Sequence, residues 1–315
     1  MKRDCEPMYP RGTDFDKAAA NWTSNTRERV YRLSNFDLDA YTPWTKAQIA
    51  SFDPNTTAGY ATLGINPDPN DGPTVRQTFK VVDRHGRLLA YCMPLGAIDG
   101  RAAAGEIERL AIQHVEPNTP RGSKAGSKHT RGNYAAVSWN LWTRMQTEEA
   151  GPRFNVDMLE ALPASWSYLQ ALAPHLDRLS EAHTHIQPRV ARRLYDARRF
   201  IPAKRSLDSS FTDAGLNPPR PMQPLGGLQF NVTTNLHMDT TYGATTPHRD
   251  ISDIKGGLTW VIPFGNFAGG EPYLHEAQVK LNVPKGYAYA ILSQALTHSN
   301  APISRGLRGS IVTYL

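Results

Sequence analysis

The chain has 315 residues, 40% of them hydrophobic, and a net charge of +6. That is enough apolar material for one large globular domain, or a core with a supporting layer, and it excludes a disordered chain. No run approaches the ~18 apolar residues that span a bilayer, the opening MKRDCEPMYP lacks an apolar leader segment, and Cys5 and Cys92 are too few for a disulfide framework or a structural zinc cluster.

A soluble, intracellular protein is therefore expected, and the sequons at Asn21, Asn55 and Asn231 are expected to stay unmodified. Residues 1–40 are polar and read as an N-terminal extension. In TPWTKAQIASF, Thr42 as N-cap and Pro43 at the first helical position predict a helix start. RQTFKVVDRHGRLLAYCMP alternates on both sides of DRHG and predicts a hairpin.

A basic stretch, RGSKAGSKHTRG, follows at 121–132 with Arg121, Lys124, Lys128, Arg131 and no acid. Trp166, Leu169, Leu172, Leu176 and Leu179 recur at three and four residues, predicting an amphipathic helix over about 164–183. Behind Pro188 lies a second basic stretch, 189–205, in which Arg192 and Arg193 belong to seven cations facing the single acid Asp196. Such clusters suit a polyanion, through counterion release, and equally suit a solvated helix face and an open loop; charge alone does not choose. NPPRPMQP, at 217–224, reads as a rigid linker.

After Leu225 the chain becomes a series of short β-rich segments parted by Gly, Pro or Asn, with no room for a helix between them. The expected fold class is α+β. A jelly-roll core, a double-stranded β-helix, occupies 225–315, and the helices and hairpin of 41–224 pack against it.

Three His-x-Asp triplets compete for chemistry: His175 with Asp177, His237 with Asp239, and His248 with Asp250. The first lies on the predicted helix, where residues two apart point to different sides. The second sits at a strand end, where geometry permits chelation, but a strand-end hydrogen-bonding pair is the favoured reading. The third follows Thr-Thr-Pro, and proline extends the residue before it, launching His248 into a strand.

A third ligand is available fifty residues on, at His298, and Arg308 follows ten residues later on the last strand, with Arg305 in reserve. Two histidines and a carboxylate on one face of an octahedron are the ligand set of non-haem Fe(II) oxygenases. A planar guanidinium clamps one carboxylate of a dicarboxylate in two parallel bonds. Together these features predict an Fe(II)/2-oxoglutarate-dependent dioxygenase, with His248, Asp250 and His298 as catalytic metal ligands and Arg308 as the anchor of the co-substrate. A protein or small-molecule hydroxylase, and a non-catalytic nucleic-acid-binding module on the same core, are the alternatives.

PHRDISDIKGGLTWVIPFG, FGNFAGGEPYL, and THSN followed by RGLRGSIV resemble the TET/JBP family of nucleic-acid dioxygenases, in its fungal and algal versions, over residues 225–315. The resemblance implies the same iron ligands and anchor, dioxygen as oxidant, and Asp253 contacting the exocyclic amine of the target base. It implies a substrate in duplex DNA, a methylated base flipped from the stack. 5-Methylcytosine is the first choice and 6-methyladenine the second, with Arg192, Arg193, Lys124 and Lys128 on the phosphates and a nuclear location.

Overall fold

A computed structural model describes residues 26–65, 76–96, 100–114, 135–139, 141–142, 153–154, 162–192, 231–237 and 245–314. The first described element, within the region read as an extension, is a strand, β1 (Thr26–Arg32), lying parallel to β3 (Arg76–Val82) at a sheet edge. The first helix, α1 (Lys46–Ala50), starts three residues later than Pro43 predicts. Thr45 makes a full capping box with Gln48, satisfying two backbone donors reciprocally, and this outweighs the proline signal. A 3-10 turn (Pro54–Gly59) and β2 (Ala61–Gly64) follow.

The predicted hairpin forms from β3 and β4 (Leu88–Pro94) around Asp83–Gly86. Asp83 organises the turn: one carboxylate oxygen accepts the His85 and Arg87 backbone N–H groups, the other the Leu38 N–H and the Arg87 Nε–H. Burial pushes this carboxyl up, but the guanidinium and the backbone donors win and hold its pKa at about 2. The hairpin joins the core by extending the main sheet edge to edge, because β4 pairs with β12 (Tyr287–Ile291), and it buries Phe79, Val81, Leu89, Tyr91 and Met93.

Eight strands form that sheet in the order β1-β3-β4-β12-β9-β14-β8-β5, with β5 at Ala135–Trp139, β8 at Asn231–His237, β9 at Thr259–Gly269 and β14 at Ile303–Tyr314. The smaller sheet runs β13-β10-β11-β2, with β10 at Pro272–Leu274, β11 at Val279–Asn282 and β13 at His298–Asn300. A bridge from His248 to β13 adds one more rung beside it. From β8 onward the chain passes back and forth between the sheets, with β10 and β11 a hairpin within the smaller one, so that the major sheet contains β8-β14-β9-β12 and the minor one the His248 rung-β13-β10-β11. This is the double-stranded β-helix. A small ribbon of β6 (Leu141–Trp142) and β7 (Arg153–Phe154) stands apart from both sheets.

Register decides which side chains see which layer. Thr259, Val261, Pro263 and Gly265 of β9 share a face with Tyr289 and Arg308 of the neighbouring strands, facing the minor sheet. Trp260, Ile262 and Phe264 point the other way, towards α2 (Gly100–His114) and α3 (Leu162–Ile186). The α3 helix matches the periodicity prediction and buries Trp166, Leu169, Leu172, Leu176 and Leu179 as expected. Trp260 donates its indole N–H to His183 of α3, tying helix to sheet. Gly309 lets the Phe264 ring lie flat on β14, since a Cβ there would meet the ring at 2.2 Å. Among the described residues, no helix is long and apolar enough to cross a membrane.

Candidate metal centre

His248 and His298 are brought together by backbone. The N–H of each donates to the carbonyl of the other, at 3.0 and 2.9 Å, and the rings lie 4.4 Å apart. Asp250 joins them because its N–H donates to the Ser293 carbonyl just past β12. Candidate ligand atoms of the three residues all lie within 4.8 Å of one another, the one such group among the described residues.

The tautomers follow from the hydrogen bonds. His248 Nδ1 sits 2.7 Å from the Thr246 carbonyl and His298 Nδ1 3.0 Å from the Leu296 carbonyl. A carbonyl only accepts, so Nδ1 of each ring carries a proton, and in the neutral form of each ring it is Nε2 that holds the lone pair. Both Nε2 atoms face Asp250, at 3.9 and 3.5 Å from its two oxygens. Backbone carbonyls that fix imidazole orientation in this way are the usual outer partners of metal-bound histidines. The two Nε2 atoms and the carboxylate, at distances too long for good hydrogen bonds, leave space between them for a cation.

Asp253 lies one turn on, its N–H donating to the Asp250 carbonyl. Its Oδ2 accepts the hydroxyls of Thr259 and Ser293 at 2.8 and 2.9 Å. Burial raises its pKa to about 6, with the Asp250 charge adding to the effect and the two hydroxyls and His298 opposing it.

Arg308 is 2% exposed. Its guanidinium hydrogen-bonds the buried Tyr289 hydroxyl and lies 5.5 Å from the centre of the Phe267 ring, while Nε and Nη1 have no hydrogen-bond partner among the described residues. Gly270 makes room for it, since a Cβ there would stand 3.0 Å from Arg308 Cδ. Together with Pro263, Phe267, Glu271 and Tyr289, these two residues line a cavity of about 310 Å³. Pro272 also lines this cavity and pairs with Asn300, two register positions from the Leu274–His298 pair, so the cavity wall and His298 share one strand ladder. A buried cation with two orphaned donors beside a metal-type triad fits a carboxylate ligand that also reaches the metal. Arg305 is exposed, which leaves Arg308 as the anchor candidate.

Of the other expected residues, Arg192 is exposed on a helical turn after α3, whereas Arg193, Lys124 and Lys128 lie outside the described residues. His175 sits on α3 with Nε2 3.5 Å from Glu106, away from any triad. The backbone of His237 is in register with Arg308; Asp239 lies outside the described residues. Tyr289, Thr259 and Ser293 carry no sequence signal of their role, because only strand register sets them beside Arg308 and Asp253. His275 is likewise silent in sequence. It is buried against Trp44, Phe52 and Tyr60, its Nε2 2.9 Å from the hydroxyl of Ser299 on the ligand strand. Burial, with a smaller contribution from His298, lowers its pKa to about 4.

No family model matches the chain, nor does any curated protein. Among solved structures, it is similar to NgTET1 in complex with 5mC DNA, at 17% identity and a TM-score of 0.49, covering 83% of this chain and 86% of that one. It is also similar to the viral collagen prolyl hydroxylase of Paramecium bursaria Chlorella virus-1 in its 2OG complex, at 11% identity and a TM-score of 0.31, covering 69% and 92%. A Pseudomonas putida prolyl-4-hydroxylase matches at 13% identity and a TM-score of 0.30, covering 67% and 86%. At such identities the chemistry has to be read from the side chains of the site itself.

Proposed function

We propose that this chain is an Fe(II)- and 2-oxoglutarate-dependent dioxygenase that oxidises the methyl group of a modified base in DNA, 5-methylcytosine first and 6-methyladenine as the alternative. The observation that carries this reading is the pair of imidazoles whose Nδ1–H groups are held by backbone carbonyls while both Nε2 atoms face Asp250. His248, Asp250 and His298 would hold the iron, and Arg308, through its two unpartnered donors, one carboxylate of the keto acid. When bound, iron and 2-oxoglutarate supply dioxygen activation and hydrogen removal from the methyl, with succinate and carbon dioxide as the co-products.

The chain's own work is orientation and exclusion of water. Carbonyls of Thr246 and Leu296 lock the imidazoles; Tyr289 and Phe267 wall the keto-acid cavity and hold the guanidinium in place. Asp253 stands beside Asp250 with Oδ2 fixed by two hydroxyls, so its carboxylate is oriented to accept a hydrogen bond from the amine of cytosine or adenine. The DNA-base substrate is supported by the sequence resemblance and by the clustered cations Arg192, Arg193, Lys124 and Lys128, which would hold phosphates while the base is extruded. A nuclear location goes with that substrate.

The test is incubation of the purified chain with Fe(II), 2-oxoglutarate, oxygen and duplexes carrying either methylated base, followed by nucleoside mass spectrometry. The expected result is loss of the methylated base with stoichiometric succinate. Intact methylated bases, with succinate formation stimulated by a prolyl peptide or a small molecule instead, would overturn the substrate class while leaving the cofactor chemistry standing.

A further inference from the structure

We propose that the segment from Asp250 to Gly257 is a duplex-docking edge, in which Ile251 and Ile254 enter the base stack where a nucleotide is extruded, and Lys255, Arg189 and Arg192 take the flanking phosphates. The proposal rests on the DNA-base reading given above and adds to it the surface that opens the duplex.

The segment is two successive turns, closed by Asp253 N–H to the Asp250 carbonyl and by Gly257 N–H to the Ile254 carbonyl, each at 2.9 Å. Turn positions ordinarily hold Gly, Pro, Asn, Asp or Ser, whose local conformations suit them. Here Ile251 is 70% exposed and Ile254 43% exposed, two large β-branched side chains that contribute little to the core. They begin one residue after a metal-ligand candidate, so the apolar tip stands beside the mouth of the triad rather than on a remote face.

Charge decides what such a tip would meet. The two acids of the segment are turned inward, Asp250 towards the imidazoles and Asp253 towards the hydroxyls of Thr259 and Ser293. Lys255 is exposed. Gln187 Nε2 donates to the Gly256 carbonyl at 3.1 Å and so ties the segment to the end of α3, where Arg189 and Arg192 are exposed. An apolar point flanked by cations matches a polyanion with an apolar interior, which is a nucleic-acid duplex. Isoleucine is among the side chains that proteins insert between base steps. Filling the gap left by the extruded base stabilises the open duplex, at the stage that costs a few kcal/mol.

Three measurements on the full-length, iron-loaded protein test this. The double variant Ile251→Ser/Ile254→Ser replaces exposed groups, so folding should survive. It should lower kcat/KM on a methylated duplex about tenfold, leave turnover of the single strand of the same sequence unchanged, and abolish the fluorescence rise of a 2-aminopurine placed next to the methylated base. The triple variant Arg189→Gln/Arg192→Gln/Lys255→Gln should flatten the dependence of log affinity on log salt by roughly 0.9 for each phosphate that is no longer neutralised. Equal loss on single strand and duplex, unchanged duplex turnover in the isoleucine variant, or an unaltered salt slope in the triple variant would overturn the docking edge alone. A wild-type protein inert on both methylated bases would overturn the DNA-base reading and this edge with it.

Discussion

Replacing Arg308 by Met separates the anchor's role in binding from its role in folding, because the two effects have opposite signs. The guanidinium is 2% exposed, with Nε and Nη1 unsatisfied. Each buried donor without a partner costs about 1–3 kcal/mol, and the contact with Phe267 returns about 0.5–2 kcal/mol. An apolar side chain of similar length relieves the two donors but gives up the ring contact and leaves the buried Tyr289 hydroxyl without its partner, at about 1–3 kcal/mol, so the ligand-free protein should be equally stable, or more stable by about 1–2 kcal/mol. Binding moves the other way. Two charge-assisted hydrogen bonds at about 1.5–3 kcal/mol each are removed, which is about 3–6 kcal/mol, or roughly 10²- to 10⁴-fold in the Kd for 2-oxoglutarate.

Urea unfolding followed by tryptophan fluorescence, with and without 2-oxoglutarate, reads both effects in one experiment. Wild type should gain about 4 kcal/mol at a ligand concentration 1,000 times Kd; the variant, at the same concentration, should gain far less. Calorimetric titration gives the Kd directly. An unchanged Kd, or a ligand-free variant more than about 2 kcal/mol less stable than wild type, would show that Arg308 is a structural cation with partners inside the fold and refute the anchor.

The same geometry sets three more outcomes. Asp250→Ala should weaken iron binding by more than the 10–100-fold that outer partners of a metal site cost, whereas Asp239→Ala should leave it intact, as read by metal analysis after desalting. Gly270→Ala should destabilise by about 1–2 kcal/mol, since φ is +75° there, and should also raise the Kd for 2-oxoglutarate by pressing its Cβ on Arg308. Burial lowers the pKa of His183 to about 4, against 6.5 for the free residue, so the unfolded chain binds more protons between these values. Stability from this group is fully present above pH 6.5 and is lost as the pH falls towards 4. The loss is about 2 kcal/mol by pH 5, and His183→Gln should show a flatter pH profile in urea titrations.

Local chemistry is legible in the sequence wherever one segment carries the whole signal. The spacing from His248 and Asp250 to His298 and Arg308, the alternation around DRHG, and the leucine periodicity of α3 each depend on residues close together or on a motif with known geometry. Helix α2 is harder to see although Ala104, Ile107 and Ala111 recur at helical spacing, and the start of α1 is set by a capping box that the stronger proline signal conceals. The N-terminal strand looks like an extension because its partner, β3, lies some fifty residues away.

Tertiary structure alone decided the rest, because pairing between distant strands has no local signature. The register of β14 and of β12 on β9 placed Tyr289, Phe267 and Gly270 around one guanidinium. The rung between His248 and His298 aimed both Nε2 atoms at one carboxylate, since it is the backbone path of each residue that presents a carbonyl to Nδ1. Sequence named the four side chains; the closing of one sheet over the other determined which atoms of them face each other.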